Sequence, residues 1–179
     1  MVTINVAVVP ATVKSQRRTD PVFYVTGGPG GVATEDVPGI ASAWSDVNGH
    51  RDIVFVDQRG VGKSNPLSCA ITTQGLSVAD LVAACLGQVN GDVAHYRTTD
   101  AMDDLDAVRQ ALGYDKVDIY GGSYGATTVQ VYLRRHPENV RTAVLDGVTL
   151  LDRFFERGTA AGLDTSCAKL TPYPAFRLR

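Results

Sequence analysis

The chain lacks any apolar run approaching the roughly 18 residues of a membrane span, and no charged-then-apolar leader opens it. It also lacks an excess of either charge. Its 17 lysines and arginines stand against 19 aspartates and glutamates, for a formal net charge of −2. Neither nucleic acid nor a membrane is therefore indicated as a partner. Cysteine is scarce, at Cys69, Cys85 and Cys167, and no C-x-x-C pair occurs. Histidine is equally scarce, at His50, His95 and His136, without metal-ligand spacing, so no metal site is expected. A Cys69–Cys85 bridge would close a modest loop and imply an oxidising compartment. Buried reduced thiols are the competing reading, and the spacing does not decide between them. Internal repeats and low-complexity linkers are absent as well.

What remains is the composition of an ordinary globular protein. The chain has 179 residues, 44% hydrophobic and 20% charged, enough to bury a core as one domain. Strand and helix signals alternate along it. Residues 3–9 alternate with a β-branched bias and read as a strand near a sheet edge, followed by a polar, turn-like stretch over 10–20. Residues 21–26 form a short apolar run that ends in a glycine loop, Gly27 to Gly31. A short helix is expected over 40–47, anchored by Trp44, and a buried strand over 52–57. Residues 76–86 read as a helix. A stronger one is capped by Thr99 and Asp100, carries Met102, Leu105, Val108, Ala111 and Leu112 at helical spacing, and is closed by Gly113. A strand over 116–120, a helix over 126–135 and a strand over 140–145 complete the pattern. Strands separated by helices give an α/β fold with a mainly parallel sheet covered on both faces.

The chemistry concentrates at Gly121-Gly122-Ser123-Tyr124-Gly125, between the strand over 116–120 and the helix that follows. G-x-S-x-G in that setting is a nucleophile elbow, a sharp turn that lifts a serine hydroxyl above the sheet edge. Ser123 is the candidate nucleophile. The backbone N–H of Tyr124 would meet a developing oxyanion at the helix N-terminus. The glycine loop could supply a second donor, from Gly30 or Gly31.

Other suggestive stretches carry less. Residues 57–64, DQRGVGKS, end like a phosphate-binding loop, but Asp57 stands where the first glycine is required and Pro66 blocks a following helix. Nucleotide binding is excluded on that mismatch, and Arg59 is expected to bond loop carbonyls or pair with Asp57. Asp100, Asp103, Asp104 and Asp106 read as solvated carboxylates near a helix N-terminus rather than acid–base machinery. A nucleophilic serine needs a base, almost always histidine. His136 lies at the far end of the elbow helix, about 20 Å away at 1.5 Å per residue. His50 and His95 precede the elbow, in loops, and neither has the spacing of a base.

Together, the loop Gly27-Gly28-Pro29-Gly30-Gly31, the run Asp57-Gln58-Arg59-Gly60-Val61-Gly62-Lys63-Ser64, the elbow and Leu145-Asp146-Gly147 resemble a branch of the α/β-hydrolases. That branch is the proline iminopeptidases and tripeptidyl aminopeptidases, with the tripeptidyl type the nearer likeness. The resemblance covers roughly residues 3–150. It implies a serine exopeptidase that removes residues or short peptides from free N-termini, needs no cofactor and is often secreted or held in the cell envelope. Its substrate would be a peptide or, in a carboxylesterase reading, a small ester. It assigns Ser123 as nucleophile and Tyr124 with Gly30 or Gly31 as oxyanion donors. In a branch often exported, a Cys69–Cys85 bridge with Cys167 free is the expected pairing.

The departures from the family pattern are as informative. Triad order in α/β-hydrolases is Ser, then Asp or Glu, then His, and no suitable histidine follows Ser123. Asp146 is the candidate for the triad acid, although in this branch that position is usually structural. Residues 1–150 are expected to form the N-terminal part of the hydrolase core and residues 151–179 the start of a cap or a truncated tail. The chain is thus expected to be a fragment, a shortened relative, a hydrolase with a rearranged triad, or a binding module. A completing chain or a second copy would be its partner.

Overall fold

The computed structural model describes residues 2–70, 75–89 and 91–147. Five strands, β1 (Val6–Val9), β2 (Val22–Val25), β3 (Ile53–Val56), β4 (Val117–Gly122) and β5 (Val140–Asp146), form one sheet in the order β1-β3-β2-β4-β5. β1 pairs antiparallel to β3 at the edge, and the other pairings are parallel. Among the described residues five α-helices accompany them: α1 (Val37–Ala43), α2 (Ser45–His50), α3 (Val78–Leu86), α4 (Thr98–Ala111) and α5 (Tyr124–Arg135). The expected α/β architecture is present, and each expected strand lies within a few residues of its place.

Every residue of the central strands β2 and β3 is buried, which is why both read as unbroken apolar runs rather than alternating ones. One face of the sheet offers Phe23, Val54 and Ile119 to Met102 and Leu105 of α4 and to Val129 and Tyr132 of α5. The other face packs Tyr24, Ile53 and Phe55 beneath Ile40 and Trp44. Each such side chain, fully buried, contributes about 1.5–3 kcal/mol. Trp44 does not sit inside one helix, as expected, but at the break between α1 and α2, with φ −105° and ψ 30°. Its ring meets Tyr24 and Tyr120 edge-on, so packing of the indole sets the break.

The N-terminal ends of the strands are fastened by charge. Asp52, ahead of β3, accepts from Ala11 N at 2.9 Å, Arg17 Nε at 3.0 Å and Tyr114 Oη at 2.6 Å. Asp118 of β4 pairs with Arg51 at 3.1 Å and with Arg141, which reaches Asp20 at 2.8 Å. The glycine-rich run after β3 closes on its own carboxylate. Buried Asp57 accepts from Asn5 Nδ2 at 2.8 Å, Thr34 N at 2.9 Å and Thr34 Oγ1 at 3.0 Å. Arg59 does not pair with Asp57. Its guanidinium grips both carboxylate oxygens of Asp104, at 2.7 and 2.6 Å, and donates to the His95 carbonyl at 2.5 Å. A charged fork prefers a planar bidentate partner to a carboxylate already satisfied by neutral donors.

The acidic set of α4 is paired as well as, Asp106 apart, partly exposed. Asp100 binds Arg97 in the first turn, Asp103 binds Arg135 and His136, and Asp104 binds Arg59. Asp106 is buried and receives Arg109 Nε at 2.7 Å, Gln110 at 2.6 Å, Tyr132 Oη at 2.9 Å and Asn139 at 2.8 Å. Burial pushes its carboxyl up, but those donors prevail and hold it well below the usual carboxylate range. Sequence spacing identified the helix face but not these long-range partners.

The Cα atoms of Cys69 and Cys85 lie 5.3 Å apart and the two are joined as a disulfide, inside the roughly 7 Å limit for a bridge. Cys167, and the expected cap segment over 151–179, lie outside the described residues. Thiol titration of denatured, unreduced protein is expected to find one free thiol, and three would contradict the bridge. Asp106→Ala leaves Arg109 buried with its charge uncompensated, so chemical denaturation should show a loss of about 3 kcal/mol. Because the folded-state carboxyl is depressed, the Asp106 contribution is complete above the unfolded value of about 4 and fades as pH falls below it. The gap between wild type and Asp106→Ala should therefore narrow in acid.

Candidate active site

β4 ends in glycines and feeds directly into α5, with Ser123 as the single residue between them. Its backbone stands at φ 53° and ψ −120°. A non-glycine residue there costs on the order of 1–3 kcal/mol and persists only when the surroundings dictate it. Two contacts do so. Ser123 N donates to the Asp146 carbonyl at 2.7 Å, and the Ser123 carbonyl accepts from Ala126 N at 2.9 Å. The side chain is thereby lifted to the C-terminal edge of the sheet, where open α/β sheets bind their ligands.

Close backbone approach explains the flanking glycine. A Cβ on Gly125 would lie 2.3 Å from the Val25 carbonyl oxygen and 2.8 Å from that of Thr26. α5 therefore starts pressed against the end of β2, which no larger residue permits. Tyr124 opens α5, and the first N–H groups of a helix have no partner within it. An N–H in that position is the type of group that binds anions at a helix N-terminus.

The glycine loop after β2 runs past this point, though not in the register expected. Gly27 is the residue against the elbow: a Cβ there would lie 3.0 Å from Ser123 Cβ and 3.5 Å from Tyr124 N. The N–H of Gly31 is spent on the Gly27 carbonyl at 3.1 Å, which removes Gly31 as a donor. Gly30 opens onto a cleft of about 180 Å³, lined also by Gln58, Arg59, Tyr96, Thr98 and Tyr124. Thr98 Oγ1 and Tyr124 Oη lie 3.1 Å apart across its floor. Gln58 is legible only as part of the run over 57–64, and Tyr96 and Thr98 were not singled out from the sequence. Tyr96 and Thr98 stand beside that cleft where the Arg59–Asp104 pair and the Arg59–His95 bond join α4 and the 93–95 turn to the loop over 57–64.

Asp146 ends β5 opposite Gly122. Its carboxylate accepts from Tyr120 Oη at 2.8 Å while its carbonyl holds Ser123 N. Burial, with the adjoining Asp146 carboxylate, pushes the Tyr120 phenol up to about 12, so it remains a donor at neutral pH. The histidines are placed elsewhere. His136 caps the far end of α5 with Nε2 3.0 Å from Asp103, and His95 Nε2 lies 3.6 Å from Asp92. His50 ends α2, where its carbonyl accepts from Arg18 N. Among the described residues no histidine is hydrogen-bonded to Ser123, and no group of acidic, histidine and cysteine side chains could hold a metal ion. Nor, among those residues, is any helix long and apolar enough to cross a membrane.

Known proteins resemble this chain in sequence and shape. A proline iminopeptidase of Neisseria gonorrhoeae is 35% identical over 130 residues, covering 73% of this chain and 33% of that protein. A tripeptidyl aminopeptidase of Streptomyces lividans is 30% identical over 154 residues, covering 73% and 29%. Of these two the iminopeptidase shows the higher identity, against the expectation that the tripeptidyl type is nearer. The chain thus spans about a third of the length of these relatives. The crystal structure of proline iminopeptidase from Mycobacterium smegmatis superposes with a TM-score of 0.56 at 22% identity, over 80% of this chain and 40% of that one. The profile of the alpha/beta hydrolase fold matches residues 20–176. By that match, the chain belongs to the alpha/beta hydrolase fold family.

Proposed function

We propose that this chain is the nucleophile-bearing part of a serine hydrolase whose substrate is an N-terminal peptide bond. The observation that carries the reading is the backbone of Ser123, held at φ 53° and ψ −120° where β4 turns into α5. Strain of that kind is retained where a side chain must be aimed. In the reaction the Ser123 hydroxyl oxygen bonds to the substrate carbonyl carbon and the hydroxyl proton passes to a base. The carbonyl oxygen becomes the oxyanion, facing Tyr124 N–H and the backbone of the Gly27–Gly30 loop. Collapse of the adduct expels the amine, which needs a proton as it leaves. Resemblance to iminopeptidases and tripeptidyl aminopeptidases supports a peptide as the substrate, and no metal or cofactor is part of the proposal.

Residues 1–150 serve as the elbow-bearing portion of the core. The three histidines lie in α2, in the 93–95 turn and at the end of α5, which favours a second reading. In it the base and acid come from another polypeptide segment or chain, or from a second copy, and the chain taken alone binds substrate without turning it over. Loss of a triad member costs on the order of 10⁴ to 10⁶ in rate, while an oxyanion hole alone retains about 10³ over water.

A fluorophosphonate probe separates these outcomes. Adduct mapping by mass spectrometry is expected to find Ser123 alone, and Ser123→Ala to abolish labelling. On p-nitrophenyl acyl esters the 179-residue chain should show slow turnover at most, with none on peptides. Single alanine replacements of His50, His95 and His136 should leave that rate within about twofold. An adduct on another residue would overturn the assignment of Ser123. A histidine replacement that ends robust esterase activity in a folded protein would show a triad completed within the chain.

A further inference from the structure

A stacked pair of tyrosines lies beneath the two loops of the site. Tyr24 of β2 and Tyr120 of β4 are register partners, with ring centroids 5.7 Å apart and planes 6° from parallel. Trp44 closes on both rings edge-on, at 5.7 Å from Tyr24 and 4.9 Å from Tyr120. Each phenol donates to a carboxylate on its own side. Tyr24 Oη reaches Asp36 at 3.0 Å, which also takes Thr26 Oγ1 at 2.8 Å, on the side of the glycine loop. Tyr120 Oη reaches Asp146 at 2.8 Å, on the side of the elbow, and sits directly under Gly122, 3.4 Å from where a Cβ would be.

Asp146 is joined to the elbow twice over. It is the register partner of Gly122, and its carbonyl receives Ser123 N at 2.7 Å. The carboxylate of the same residue has Tyr120 as its hydrogen-bond partner among the described residues. The phenol thus occupies the Oδ2 atom of that carboxylate. We propose that Tyr120 and Asp146 are positioning residues: the phenol locks the Asp146 carboxylate, so that the Asp146 carbonyl fixes the Ser123 N–H and with it the aim of the nucleophile. This rests on Ser123 being the nucleophile and gives Asp146 a role different from that of a triad acid. The step is purely geometric, since no proton leaves the phenol.

The two roles predict opposite responses to amide substitution. Asp146→Asn keeps an acceptor oxygen for Tyr120 and the carbonyl for Ser123, so positioning survives. A triad acid loses its function on the same change, as fully as with alanine. Tyr120→Phe keeps the stack on Tyr24 and removes only the lock. One hydrogen bond of this type is worth about a factor of ten.

The test uses the 179-residue chain with two readouts. The first is amide hydrogen exchange at Ser123, read by NMR and independent of any activity. Tyr120→Phe and Asp146→Ala are expected to speed exchange at Ser123 about tenfold, with Val54 and Val129 in the core unchanged, while Asp146→Asn stays within about twofold of wild type. The second is fluorophosphonate labelling, resolved into the probe's binding constant and its maximal rate. The same two variants should lower the maximal rate about tenfold at unchanged binding, with Asp146→Asn again near wild type. Unchanged Ser123 exchange in Tyr120→Phe would overturn the inference, as would Asp146→Asn falling as far as Asp146→Ala. Failure of the wild-type chain to label at Ser123 would instead sink the assignment of the nucleophile, and exchange would still decide the positioning role.

Discussion

Backbone contact between the start of α5 and the end of β2 is the constraint on which the remaining geometry depends. With no side chain at Gly125, the first turn of α5 rests on the carbonyls of Val25 and Thr26. That contact fixes where the helix begins, and so where the residue before it must turn. Ser123 takes a left-handed backbone conformation because β4 and α5 are both anchored and one residue has to join them. The strain is small beside the burial of β4 and α5 against the sheet.

The cleft beside the elbow is assembled by charge from segments distant in sequence. Arg59 grips Asp104 across 45 residues and the His95 carbonyl across 36. A partly buried guanidinium with its fork occupied is a rigid strut, because releasing it strands charge on both partners. The loop over 57–64 uses its buried Asp57 to gather Asn5 and Thr34. A stretch that looks like a phosphate cradle is therefore closed around an anion of its own.

Legibility in the sequence followed locality. The five strands, the stronger helices and the strand-to-helix turn at Ser123 were readable because each depends on near neighbours in the chain: apolar runs, period 3.6, a glycine-flanked serine. Trp44 misled because a lone aromatic in a weakly periodic segment reads as a helix anchor, whereas contact with Tyr24 and Tyr120 makes it a break. Gly31 was named as a donor because five residues of glycine and proline look alike, and only the closed turn to Gly27 distinguishes them. The partners of Arg59 and Asp106 were hidden for a different reason. The choice of polar partner between residues tens of positions apart depends on the fold, and no spacing rule encodes it. Tyr96 and Thr98 carry no motif at all, and they were found only when the cleft existed.

The parallel sheet also has two chemically unlike ends. Asp52, Asp118, Asp20 and their arginines cluster where β3, β4 and β5 begin, while Ser123 and the glycine loop lie where β2 and β4 finish. Free-energy changes at well-separated sites usually add, because they share no partners. The two ends are therefore free to drift independently over evolutionary time. One end can accumulate robustness by refining its ion pairs, and, on the function proposed, the other can exchange substrates by altering loop residues. The usual conflict between durability and activity is then confined to the few residues where β4 meets α5.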